Sequence, residues 1–195
     1  LYPMFAQNRR LERRLDIVSS LVDDHGFVVE AVVDYSEIED KNVFLEGTGS
    51  MVLDRENKIC YAALSTRTNR SAVKQFCEDF GYQSVCFTAN QNVDGKRLAM
   101  YHTNVMMSVG KSFAVICLRS IDDASERESV ANSLHATGKE IIEITEEQLE
   151  CFAGNILQVN GNERCVVMST SAYNSLKKSQ LSAIEKHGVI LHSSL

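Results

Sequence analysis

A carboxylate, an imidazole and a guanidinium stand in this chain where charged groups need a reason. Glu46 ends the apolar run of "FLEGTGS", residues 44–50, and is followed at once by Gly47 and Gly49. Charged side chains seldom close a buried strand without a partner, and two glycines so close let backbone crowd a neighbouring group. His102 opens another apolar run, "YHTNVMM", and Arg67 lies in "LSTRTN" between strand-like and helix-like segments. A carboxylate beside an imidazole makes an orienting group and a general base. An arginine fixed at such a junction can clamp a carboxylate through two parallel hydrogen bonds. For this chemistry the fold must bring Glu46 and His102 together across 56 residues of chain.

The elements that would do so repeat. Leu11, Leu15, Val18 and Val22 share one helical face, Gly26 stops it, and "FVVEAVV" reads as a strand. Val73, Phe76, Cys77 and Phe80 then lead to Gly81 and "YQSVCF". Val130, Ala131 and Leu134 lead to Gly138 and "KEIIEI", and a helix capped by Ser179 leads to Gly188 and "VILHSS". The stop glycines lie 55, 57 and 50 residues apart, with strand pairs such as "SMVLDR" and "KICYAAL" between them. Each unit of about fifty-five residues cannot bury itself alone. The pattern suits units arranged around an axis, with helices outside and strand ends facing a channel; a solenoid fits the period as well. Glu46 follows Gly26 by 20 residues and His102 follows Gly81 by 21, so they occupy equivalent places in successive units.

Composition narrows the class. With 195 residues, 44% hydrophobic and 24% charged, the chain is of globular type, and its net charge of −6 argues against a nucleic-acid partner. "RRLERR" reads as a solvated helix face. No run approaches a membrane span and no signal peptide opens the sequence. The six cysteines are scattered without a CxxC pair, which suits reduced thiols in a cytoplasmic protein and no metal site. "GTGS" is a weak phosphate-loop signal, since no GK[ST] follows.

Taken together, "FLEGTGSMVLDR", "LSTRTN", "YHTNVMM" and "CFAGNILQV" resemble the guanidino-group modifying superfamily, the penteins. Within it they are most similar to the dimethylarginine dimethylaminohydrolase-like and citrulline ureidase-like hydrolases, often labelled amidinotransferases. The resemblance implies an α/β-propeller of five ββαβ blades and a triad of carboxylate, His and Cys in the central channel. Glu46 and His102 match the first two members, and Arg67 matches the arginine that holds the substrate's α-carboxylate. A thiolate would attack the guanidino or ureido carbon. Glu46 would accept substrate N–H groups, and His102 would protonate the leaving amine and then activate water. No cofactor is implied, and the expected partner is a small amino acid. The oligomeric state stays open, a homodimer included.

Two departures qualify the resemblance. Deiminases of the superfamily commonly carry His-x-Asp, whereas this chain has "HTN". The amide of Asn104, a candidate substrate-binding group, both donates and accepts, which tilts the reading toward the neutral ureido group of citrulline. The family's nucleophile follows a Gly-rich segment that residues 1–195 do not contain, and Cys151 in "ECFAGN" is read as structural. The expectation is therefore one domain, a partial propeller lacking the first blade and the C-terminal Cys segment. The nucleophile would lie beyond Leu195, about twenty residues past Gly188, and residues 1–195 alone would be inactive. The alternatives are an amidinotransferase and a non-catalytic pentein-fold binding protein, like the ribosome anti-association factor.

Overall fold

The computed structural model describes residues 1–194. A 3-10 turn at Gln7–Glu12 precedes α1 (Leu15–Asp23). The first unit follows as β1 (Val52–Asp54), β2 (Ile59–Ala63), α2 (Arg70–Phe80) and β3 (Gln83–Phe87). A hairpin, β4 (Asn90–Val93) and β5 (Lys96–Ala99), separates it from the second unit. That unit enters through α3 (Thr103–Met106) and contains β6 (Met107–Val109), β7 (Phe113–Ile116), α4 (Ala124–Ala136) and β8 (Glu140–Glu143). After α5 (Glu146–Glu150) comes the third, with β9 (Leu157–Asn160), β10 (Arg164–Ser169), α6 (Thr170–Ser175), α7 (Lys178–Glu185) and β11 (Val189–Ser193).

In every unit the first strand runs antiparallel to the second, and the third runs parallel to the second. Parallel neighbours need a crossover, and the helices supply it. The repeat read from the glycines is thus three ββαβ units. In α2, Ala72, Val73, Phe76 and Cys77 are buried, and Gly81 closes the helix with φ +67°, a left-handed conformation that costs glycine little. In α4 the Asp123 side chain caps the helix by accepting from the Glu126 N–H, and Val130 and Leu134 are buried. One core gathers Tyr61, Phe87, Met106, Phe113, Leu134 and Ile184, and a second lies between β2 and α2.

Several expectations are corrected. Residues 27–33, "FVVEAVV", form no strand and are mostly exposed; β structure needs a paired strand, and among the described residues none pairs with them, the Leu1 amino group only reaching the Val33 carbonyl at their end. The first helix starts at Leu15, not Leu11, and its apolar stripe is open to solvent. The N-cap of α7 is Lys177, with the Gln180 side chain accepting from its N–H, so Ser179 lies inside the helix. "NVMMSV" divides into one helical turn and a short strand. The hairpin β4–β5 went unread, although Asp94-Gly95 at its tip takes positive φ at both residues, the turn its sequence favours.

Two features join or delimit the units. Lys139 and Asp54, side chains 1% and 3% exposed, pair at 2.9 Å between the second unit and the first, and Lys139 Nζ also donates to the Lys111 carbonyl. The third sheet has one closed and one open face. Val166 and Met168 are buried, while Leu157, Val159, Val167, Val189 and Leu191 are exposed together, Val167 being paired with both Leu157 and Leu191. No helix among the described residues is long and apolar enough to cross a membrane.

Candidate active site

The turn that carries Glu46 is built by its own motif. Gly49 N–H donates to Glu46 O, Met51 N–H to Gly47 O, and Glu46 N–H to Ser50 Oγ. The Ser50 hydroxyl in turn donates to the carbonyl of Arg67, fixing the "LSTRTN" turn against the first. On the other side His102 stands at the N-cap of α3. Thr103 Oγ1 donates to Ser50 O and accepts from Ala63 N–H, and Asn104 N–H donates to Gly49 O at 3.2 Å. Two turns and a helix start, all from short sequence motifs, therefore interlock by hydrogen bonds before any catalytic group is considered.

At their junction His102 Nε2 lies 2.7 Å from Glu46 Oε2, with both side chains almost wholly buried. The two residues that the repeat set at equivalent positions meet. The imidazole also lies against Gly49: a Cβ there would come within 2.8 Å of His102 Cε1 and 2.9 Å of Nδ1. This is why the second glycine of "FLEGTGS" is a glycine; any side chain would push the ring off Glu46. The other carboxylate oxygen, Oε1, accepts the Phe5 N–H at 2.9 Å. Glu46 is therefore held by backbone on one side and aligns the imidazole on the other.

Arg67 is at the rim. Its Nη1 is 3.5 Å from Glu46 Oε2, its guanidinium carbon lies 5.4 Å from the Tyr101 ring centroid, and its side chain is partly exposed. Such stacking leaves donors of the guanidinium edge free for a carboxylate. Asn104 faces a neighbouring cavity of about 270 Å³, lined also by Val52, Met107, Ser108 and Asn155, rather than touching the Glu46–His102 pair. Sequence reasoning missed Ser50, Thr103, Tyr101 and the Phe5 N–H. The first three sit inside the motifs that carried the resemblance; a backbone donor 41 residues away leaves no trace in a motif.

Burial lowers the His102 pKa below its ordinary 6.5, outweighing the opposing pull of Glu46, and Arg67 and Arg9 add to the lowering. At neutral pH the ring is uncharged. Since a carboxylate only accepts, Nε2 carries the proton and Nδ1 is the nitrogen able to take one. The folded chain then binds fewer protons than the unfolded chain as pH falls through 6.5, so stability held above that pH is lost below it. Denaturant midpoints taken at about pH 7.5 and about pH 5 should accordingly fall further in the natural chain than in His102→Asn. An equal fall in the two would contradict a neutral buried imidazole.

The thiols near the sheets are of another kind. Burial pushes Cys60, Cys77, Cys86 and Cys117 upward, away from the thiolate that a nucleophile requires. Cys151 follows α5, where its N–H donates to Gln148 O. Among the described residues no cluster of three His, Cys, Asp or Glu could hold a metal ion.

Residues 1–195, the whole chain, match the family described as N,N dimethylarginine dimethylhydrolase, eukaryotic. The chain belongs to that family. No curated protein matches it. Among solved structures, the product-bound N-terminal domain of ArgZ, an arginine dihydrolase from the ornithine-ammonia cycle in Cyanobacteria, superposes with TM-score 0.69 at 15% identity. That match covers 100% of this chain and 63% of the ArgZ domain, so the chain spans less than two thirds of that length. SxtG, an amidinotransferase of the saxitoxin pathway from Microseira wollei, gives 0.55 at 13% identity, covering 99% of this chain and 58% of that one. Agmatine deiminase from C. jejuni gives 0.50 at 15% identity, over 91% and 56% of the two chains. Identities this low speak for the fold, and the fold of this dimethylhydrolase family member is that of the pentein enzymes.

Proposed function

We propose that residues 1–195 supply the Glu–His part of an active site that cleaves a C–N bond in the guanidino or ureido group of an arginine-like amino acid. The observation that carries this is the buried Glu46–His102 pair at 2.7 Å, assembled from two units and seated on a glycine. Unlike the buried Asp54 and Glu39, which pair with lysine or arginine, Glu46 gives its buried oxygens chiefly to an imidazole and one backbone N–H; this weighs against a non-catalytic binding protein. Glu46 holds the imidazole with Nε2–H donated; Nδ1 takes the proton of the attacking thiol, gives it to the departing amine, and then takes a proton from the water that resolves the thio-intermediate. Arg67 binds the substrate's α-carboxylate from the rim, and Asn104 offers a neutral donor and acceptor nearby.

The nucleophile in this reading is a cysteine outside residues 1–195, as the family resemblance implies; the raised thiols of the buried Cys60 and Cys117 are in keeping with that. The open apolar face of β9–β11 supports further chain packing there, as large exposed patches mark interfaces. Residues 1–195 would then be one domain's worth of a larger propeller and inactive alone. The family match favours an N-methylated arginine as substrate; citrulline is the second reading, favoured by the uncharged Asn104. The setting would be cytoplasmic, with no cofactor.

The full-length natural protein should release an amine or ammonia from one of dimethylarginine, arginine or citrulline, leaving citrulline or ornithine. Absence of turnover on all three would refute the reading, and transfer of the amidino group to an added amine would replace hydrolysis by its transferase alternative. In the active protein, Arg67→Lys should raise KM more than it lowers kcat, since a bidentate clamp holds ground state and transition state alike. An unchanged KM would remove Arg67 from the site.

A further inference from the structure

Glu39 is a buried carboxylate that the chemistry above does not use. It lies in a 3-10 turn, Ser36–Lys41, and is 9% exposed. Its Oε1 accepts the Met4 N–H at 2.7 Å and Arg13 Nη1 at 2.5 Å, and its Oε2 faces Arg10 Nε at 3.0 Å. All three partners belong to one stretch, residues 4–13, which no strand or long helix otherwise holds. The stretch runs beside the Glu46 turn: Leu45 N–H donates to Pro3 O at 3.0 Å, and Phe5 N–H, next after the bond to Glu39, donates to Glu46 Oε1. Met4, Arg9 and Arg13 from the same stretch form a wall of a cavity of about 410 Å³ that Glu46 also lines.

We propose that Glu39 is a positioning residue: it ties the 4–13 strap down, so that the Phe5 N–H holds Glu46 in the orientation that aligns His102. Consecutive amides of the strap bond consecutive acidic anchors, Met4 to Glu39 and Phe5 to Glu46, so one cannot move without the other. Two arginines on a single buried carboxylate make it a charge-assisted anchor rather than a surface pair. Without it residues 4–13, which lie outside every sheet, keep fewer ties, chiefly the Phe5 N–H bond to Glu46 and the Leu45–Pro3 bond beside it, and open more readily. Glu46 would then keep only His102 and the long contact to Arg67, and could rotate. Misplacement of this order costs turnover rather than binding, because Arg67 and the α-carboxylate contact lie outside it.

The inference rests on Glu46 and His102 being the reacting pair, so the test reads the strap and the turnover separately. In the full-length protein, Glu39→Gln should speed amide exchange in residues 4–9 while exchange in α2 and α4 is unchanged. It should lower kcat about tenfold to a hundredfold with KM within about twofold. Arg13→Gln, which keeps the Met4 bond, should shift both in the same direction by less, and it carries the test should Glu39→Gln fold poorly. Loosened exchange with wild-type kcat would overturn the proposal, as would unaltered exchange at residues 4–9. Loss of turnover only in proportion to loss of folded protein would overturn it too. A wild-type protein that turns over none of the three substrates would count against the proposed function, while the exchange would still decide whether Glu39 holds the strap.

Discussion

His102→Ala in the full-length natural protein should lower kcat by roughly 10²–10⁴-fold, the range that one positioned acid–base group supplies. The fold should survive. The ring contributes one hydrogen bond, to Glu46, and a contact on Gly49, whereas the cores on either side are built from Tyr61, Phe113, Leu45 and Phe76 without it. Near-ultraviolet circular dichroism and a thermal melt would establish that the variant is folded, and a turnover assay would then measure the loss. KM should change little, since in the proposed reading the imidazole acts on protons in flight and Arg67 holds the substrate. A folded His102→Ala retaining more than about a tenth of wild-type kcat would remove His102 from the chemistry.

Lys139→Met should destabilise the chain by about 3–5 kcal/mol, the loss that follows when one partner of a buried ion pair is removed. Lys139 and Asp54 are both buried, and among the described residues only Lys139 pairs with the Asp54 carboxylate as a cation, at 2.9 Å; Asn57 supplies neutral donors to it. Neutralising the lysine strands that charge between two units. Denaturant titration gives the magnitude, and the double variant Lys139→Met with Asp54→Leu should recover part of it, because two apolar groups need no solvation. A Lys139→Met chain within about 1 kcal/mol of the natural one would show that the pair is hydrated or dispensable.

Much of this architecture is legible in residue order because its causes are local. The left-handed Gly81 and Gly138 end helices wherever they stand, and the short apolar stretches after them pair with the strand before the helix. The repeat followed from those glycines, and with it the equivalence of Glu46 and His102. Even the close approach at Gly49 was signalled by a glycine whose reason lay elsewhere. Where local causes fail, so does the reading. "FVVEAVV" has every mark of a strand, but strand formation depends on a paired strand, and none pairs with it among the described residues. Asp94-Gly95 announces a hairpin, yet the flanking "NQNV" and "KRLA" carry few apolar residues and no alternation to notice.

The site divides the same way. Residue types and spacing determined which groups would meet: a carboxylate, an imidazole and an arginine on three turns of two successive units. Only the tertiary structure decided how they meet. It gave Glu46 to the imidazole and to the Phe5 N–H, placed Arg67 over Tyr101 at the rim, and turned Asn104 toward a separate cavity. It also showed that Glu39 and the 4–13 strap stand behind Glu46. The physical reason is that spacing along a chain fixes which element a side chain rides on, whereas hydrogen-bond partners are chosen by distances of about 3 Å that arise only when distant segments pack.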